Sequence, residues 1–181
     1  VRTEGRGEEF RISESLSRNL NNSLVPKKVF LTAGVGRHKD PLMSFELALR
    51  DAGIERFNLV LVSSILPPQC EVVEFDEGIR DLNPGQIVFC VMAKETSDRV
   101  GERIYASIAI AIPEDSSLHG YIAEYHGVCN GEGDVGRKAE ETASQMLETA
   151  FGIKPARTVS LTRFAEVRDC TTVVSAAVFV L

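Results

Sequence analysis

The run Arg103–Pro113, RIYASIAIAIP, constrains the fold more than any other stretch of the chain. Side chains alternate between the two faces of a strand, so Ile104, Ala106, Ile108, Ile110 and Ile112 share one face. Tyr105, Ser107, Ala109 and Ala111 share the other. A bulky face opposite a face of mostly small residues implies a strand buried on both sides, as in a layered sandwich. A chain of 181 residues with 44% hydrophobic content can bury one sizeable core but not two. The expectation is therefore a single domain.

The remaining elements fit that frame. Lys28–Ala33 reads as a strand, and residues 34–40, GVGRHKD, as a loop opening a helix. Asp40 is the expected N-cap, Pro41 the first helical residue and Gly53 the stop, with Leu42, Phe45, Leu49 and Ala52 at helical spacing between them. Further strands are expected at Phe57–Leu61, Glu71–Phe75, Gln86–Ala93 and Gly120–Tyr125, the last followed by a glycine-rich loop over 127–133. Val135, Ala139, Ala143, Met146, Leu147, Ala150 and Phe151 form the stripe of a second helix, which Gly152 ends. Two strands, at 157–166 and 172–181, close the chain. The fold class is α/β: a layered αββα-type sandwich over residues 25–181, with two principal helices and about seven strands. Residues 1–24 hold only isolated apolar side chains and are expected to form a mobile N-terminal arm.

Composition removes several function classes. The net charge is −6, with 26 acidic and 20 basic residues and no dense Lys/Arg block, which disfavours a nucleic-acid partner. Cys70, Cys90, Cys129 and Cys170 form no C-x-x-C pair, which argues against a disulfide framework and against a zinc site. Reduced thiols, with no signal peptide and no membrane-length apolar run, point to the cytoplasm. His38, His119 and His126 lie in no H-E-x-x-H pattern, G-x-S-x-G is absent, and Gly34-x-Gly36 lacks the third glycine of a nucleotide loop. A small-ligand site at the two glycine loops stays open on those loops alone.

Val62-Ser63-Ser64-Ile65-Leu66-Pro67-Pro68 carries the chemical question. It follows an apolar strand and sets two serines before a stiff Pro-Pro. It reads either as a strand ending in a turn or as a self-cleaving site, in which the Ser64 hydroxyl attacks the Ser63 carbonyl. Glu124 interrupts an apolar strand and shares a face with Ile122 and His126. It is either an exposed or ion-paired carboxylate or a general acid whose proton affinity partial burial raises. Asn58 poses the same question beside Val60 and Val62.

Together these segments resemble the pyruvoyl-dependent arginine decarboxylases. The resemblance rests on FNLVLVSSILPP at 57–68, on the helix from Pro41 through Ile54, on Ala109–Pro113 and on Gly120–Tyr125, in that order, and covers about Pro26 to the C-terminus. It implies a proenzyme that cleaves itself between Ser63 and Ser64 and leaves a covalent pyruvoyl cofactor derived from Ser64. Such a ketone can form a Schiff base with an amino acid and accept the electrons released as carbon dioxide departs, with no metal required. The resemblance further implies Glu124 as proton donor, Asn58 in processing and active-site hydrogen bonding, and Leu42 and Glu46 in substrate binding.

Asn58 and Ser64 would lie roughly 20 Å apart along an extended strand. The family builds each active site between neighbouring subunits, so the expected assembly is a homotrimer or a dimer of trimers. Two positions depart from the family pattern. Glu46 stands where an aspartate commonly holds the substrate guanidinium, and His126 stands where the pattern is acidic. The expected partner is a small cationic amino acid, most simply L-arginine converted to agmatine. The alternatives are another basic amino acid, or a non-catalytic paralogue acting as a structural or regulatory subunit.

Overall fold

The computed structural model describes residues 24–129 and 134–181. The arm expected over residues 1–24 lies, apart from Leu24, outside the described residues, and so do residues 130–133 of the glycine-rich loop. The described residues form β1 Lys28–Arg37, α1 Pro41–Asp51, β2 Asn58–Leu61, β3 Ile65–Leu66, β4 Glu71–Val73 and α2 Phe75–Gly78. They continue with β5 Ile87–Ser97, β6 Arg103–Ile112, β7 Gly120–Val128, α3 Val135–Phe151, β8 Arg157–Glu166 and β9 Thr171–Val180. The strands make two sheets, ordered β2-β5-β9-β1-β4 and β3-β7-β6-β8. Pairing is antiparallel except between β1 and β4 and between β2 and β5.

The two-faced pattern of β6 has a direct structural counterpart. Ile108 and Ile110 pack against Val29, Val91, Ala177 and Phe179 of the other sheet. On the opposite face, Ala109 and Ala111 meet Ala139, Ala143 and Leu147 of α3. Each fully buried isoleucine stabilises the fold by about 1.5–3 kcal/mol. β9 is buried at all ten positions, between β5 and β1. Its polar residues are bonded in place: Ser175 Oγ donates to Ala106 O at 2.9 Å, and Thr172 Oγ1 lies 2.9 Å from both Ser44 Oγ and Thr96 Oγ1.

α1 covers the first sheet, with Ala48 and Ala52 against Phe30, Val174 and Val178. Its expected start is present: the Asp40 carboxylate accepts from Met43 N at 2.9 Å and Pro41 opens the helix. α3 also ends as expected, on Gly152 with φ 70°.

The loop expected over residues 34–40 is corrected, because β1 runs on to Arg37 and pairs with β9 throughout. A methyl group at Gly34 would collide with Ala48 O and Ala52 N, and one at Gly36 with Ser44 O and Ala48 N. These glycines let α1 lie directly on the strand; they do not cradle a ligand. Among the described residues there are nine strands where about seven were expected. The short β3 was not expected and forms by pairing with the distant β7, whereas the strand expected over Glu71–Phe75 ends at Val73, where the pairing of β4 with β1 stops. α2, a single turn in the acidic connector, is held by Phe75 edge-on to Phe30 at 5.5 Å. Among the described residues no helix is long and apolar enough to cross a membrane.

Candidate active site

β2 is the edge strand of one sheet and β3 the edge strand of the other. The chain changes sheets between them. Val62 N donates to Cys90 O on β5 at 3.0 Å, and Ser64 O accepts from Ile122 N on β7 at 2.9 Å. Ser63 therefore spans the step from one sheet to the other and is exposed, while Ser64 is half-buried. Ile65 N donates to Ser63 O at 2.9 Å, which closes a three-residue turn centred on Ser64. Pro67 and Pro68 lead a tight reversal, with Cys70 N bonded to Pro67 O at 3.2 Å and Gln69 at φ 61°. Proline at the second position and a positive φ at the third make this a type II turn. Burial and the neighbouring Glu71 carboxylate push the Cys70 thiol up to about 12.

Ser64 Oγ donates to Glu124 Oε2 at 3.3 Å. Along the same face of β7, Ile122 is buried, whereas Glu124 and His126 are exposed. Of the two readings of Glu124, exposure is the one found in the single chain, because this face passes the rim of the apolar core just beyond Ile122. His126 Nδ1 lies 2.9 Å from Glu95 Oε2 of β5, in the opposite sheet. The other histidines bind structure: His38 Nδ1 accepts from Asp40 N, and His119 packs against Tyr121 and Phe151.

Asn58 sits elsewhere. It lines a groove of about 460 Å³ between α1 and β2, with Phe45, Leu49, Phe57, Leu61 and Lys94. Its Nδ2 donates to Gly85 O at 2.7 Å. On α1, Leu42 is 75% exposed and Glu46 Oε1 accepts from Arg50 Nε at 3.0 Å. Among the described residues no hydrogen bond links Asn58 or Glu46 to Ser64 or Glu124. The chain brings Ser64, with Ser63 beside it, to Glu124, whereas Asn58 shares its groove with Phe45 and Leu49 of α1, the helix that also carries Leu42 and Glu46.

Three features were not anticipated from sequence. Glu95 ends an apolar strand face, Phe89, Val91, Ala93, and that interruption is the same signal that marked Glu124. Arg50 lies four residues after Glu46, a spacing that pairs on any helix. The Ile65 amide has no signature in sequence. Among the described residues no group of three His, Cys, Asp or Glu side chains could hold a metal ion.

A family profile described as pyruvoyl-dependent arginine decarboxylase matches residues 28–181. Pyruvoyl-dependent arginine decarboxylase 1 of Archaeoglobus fulgidus is 66% identical over 158 residues, covering 87% of this chain and all of that relative. Pyruvoyl-dependent arginine decarboxylase 2 of the same organism is 55% identical, over 88% of this chain and 99% of the relative. A pyruvoyl-dependent arginine decarboxylase of Methanocella arvoryzae is 52% identical, over 90% of this chain and 100% of the relative.

Proposed function

The chain belongs to the pyruvoyl-dependent arginine decarboxylase family, and on that premise we propose that it cleaves itself between Ser63 and Ser64 and converts L-arginine to agmatine and carbon dioxide. The observation that carries the proposal is the placement of Ser64 where the chain changes sheets, its hydroxyl on Glu124 at 3.3 Å. Hydrogen bonds to β5 on one side and β7 on the other hold the junction on both flanks. Cleavage there leaves every strand intact.

In processing, Ser64 Oγ attacks the Ser63 carbonyl carbon and the peptide becomes an ester. Loss of the Ser64 Cα proton expels the Ser63 carboxylate, and water then replaces nitrogen, released as ammonia. The residues fit the resulting group: Ser64 supplies its carbons, Glu124 stands within hydrogen-bond distance, and the Ser63 side is open to an incoming amino acid. The pyruvoyl group supplies a conjugated ketone that takes up the electrons released on decarboxylation. Glu124 holds a proton for the carbon that loses carbon dioxide.

Glu46 takes the cationic end of the substrate, Leu42 flanks it, and Asn58 completes the site from a neighbouring copy. The assembly is a homotrimer or a dimer of trimers. Its support is the separation of the two residue sets and the exposed apolar Leu42, Leu61 and Ile87 near the second one. Residues 25–181 act as one domain with the αββα layering, working in the cytoplasm. A second reading, in which lysine or ornithine is preferred, is favoured by Glu46 reaching one methylene further than aspartate.

Denaturing mass spectrometry of the wild type and of Ser64→Ala, with carbon dioxide release measured from arginine, lysine and ornithine, tests the proposal. Two fragments from the wild type and one chain from the variant are expected. A wild-type chain that stays whole on prolonged incubation would end the proposal, and a better rate on lysine or ornithine would move it to the second reading.

A further inference from the structure

We propose that the backbone amide of Ile65 is the oxyanion donor for self-cleavage, an inference that rests on the reading of Ser63–Ser64 as the processing site. A carbonyl under attack moves its π electrons onto oxygen, and a fixed donor at that oxygen stabilises the charge as it develops. The Ser63 oxygen already has one. Ile65 N donates to it at 2.9 Å, across the turn centred on Ser64, the residue whose hydroxyl attacks.

This amide is free for the task because the sheet does not use it. In the antiparallel register Ile65 faces Tyr121 and Leu66 faces Gly120, and the nearby bond between the strands runs from Ile122 N to Ser64 O. β3 is an edge strand, so the Ile65 N–H points off the sheet and back to the scissile carbonyl. Ser64 has no positive φ, so the turn is of the common, unstrained hand and the donor is in place before reaction. Donor and nucleophile thus come from adjacent residues and are positioned by one turn.

The step balances within the chain. The Ser64 Oγ bond to the Ser63 carbonyl carbon forms, and the π pair moves to the oxygen held by Ile65 N–H. The C=O then re-forms and the C–N bond to Ser64 breaks, with the hydroxyl proton ending on the Ser64 nitrogen. The product is an ester between Ser63 and Ser64 Oγ. Pro67 and Pro68, fixed in their type II turn, limit the freedom of the segment on the far side.

Proline at 65 removes this one donor, and an edge strand tolerates proline where the N–H lies outside the ladder. The test is a time course of cleavage after cell-free synthesis of the full chain as wild type, Ile65→Ala, Ile65→Pro, and with Ile65 replaced by its α-hydroxy acid. The last keeps the side chain and exchanges the N–H for an oxygen, leaving the Ser64 carbonyl as an ester, and so weaker, acceptor for Ile122 N. Cleavage of Ile65→Pro and of the hydroxy-acid chain is expected to slow by about 10²–10³-fold, as for loss of one oxyanion donor, with Ile65→Ala close to wild type. Melting temperatures of Ser64→Ala with and without Ile65→Pro separate a structural cost from a catalytic one. If Ile65→Pro destabilises that uncleaved background, the hydroxy-acid chain decides. Cleavage of the hydroxy-acid chain at the wild-type rate would overturn the proposal. A wild-type chain that never cleaves would instead end the reading on which it rests.

Discussion

β9 and the segment from β2 to β3 are opposites within one molecule. β9 has a strand on either side and is buried at every position. β2 has one neighbour, and three of its four residues are exposed. The first is stabilised by contact on all sides, so any change in volume there is felt. The second is held by few bonds, and it carries Asn58, Ser63 and Ser64. Under the proposed self-cleavage, reaction at a strand edge would cost the fold little, because the Ser63–Ser64 peptide lies between the two sheets and belongs to no strand.

Breaking that comparison at its most sensitive point means Ser64→Ala, which should abolish cleavage and activity while leaving the melting temperature close to that of the wild type. An intact chain of 19.8 kDa by mass spectrometry and a cooperative melt check both halves. Glu124→Gln keeps the shape of the site and removes its ionisable proton. Steady-state rates on arginine should fall by about 10²–10⁴-fold, as for loss of a general acid. On the packed side, Ile108→Ala should cost about 2–5 kcal/mol in denaturant unfolding. Leu61→Ala on the edge should stay within about 0.5 kcal/mol in the unassembled chain. Equal losses at the two positions would erase the contrast.

Alkaline pH probes the same interior without mutation. Burial pushes the thiol of Cys70 up to about 12 and that of Cys90 up to about 11, from an ordinary 9.0. Between pH 9 and these values the unfolded chain releases protons that the folded chain keeps, so stability falls as pH rises through this window. Below pH 9 both states hold the protons and these thiols add no slope. Melting temperatures followed from pH 8 to 11 in the presence of a reductant should decline accordingly. The smallest expected effect concerns Glu46. Its partner Arg50 carries the same guanidinium as arginine, and under the proposed role of Glu46 it would have to yield to the substrate. Exposed pairs at this helical spacing are weak, so Arg50→Ala should lower KM for arginine about twofold, with little change in kcat. High salt should narrow the difference.

Local features were legible from the chain alone. Asp40-Pro41 and Gly53 bracket α1, and Gly152 ends α3, because caps depend on residues a few positions apart. The two faces of β6 announced burial on both sides, since alternation is a property of the strand itself. The family was legible for the same reason, as its pattern around Ser63 and Ser64 is contiguous. Gly34 and Gly36 read wrongly as a loop because their purpose lies in the backbone of α1, which only packing brings against them.

Residue order by itself therefore determined most of the elements, the caps of α1 and α3, the two-sided burial of β6 and the family. Tertiary structure decided that the serines lie where the chain changes sheets, that Ser64 meets Glu124 sixty residues on, that His126 meets Glu95, and that Ile65 N–H turns back to Ser63. Periodicity and capping act over a few bonds and are written in composition and spacing. Contacts between distant strands depend on register and layer order, which exist only once the core has closed.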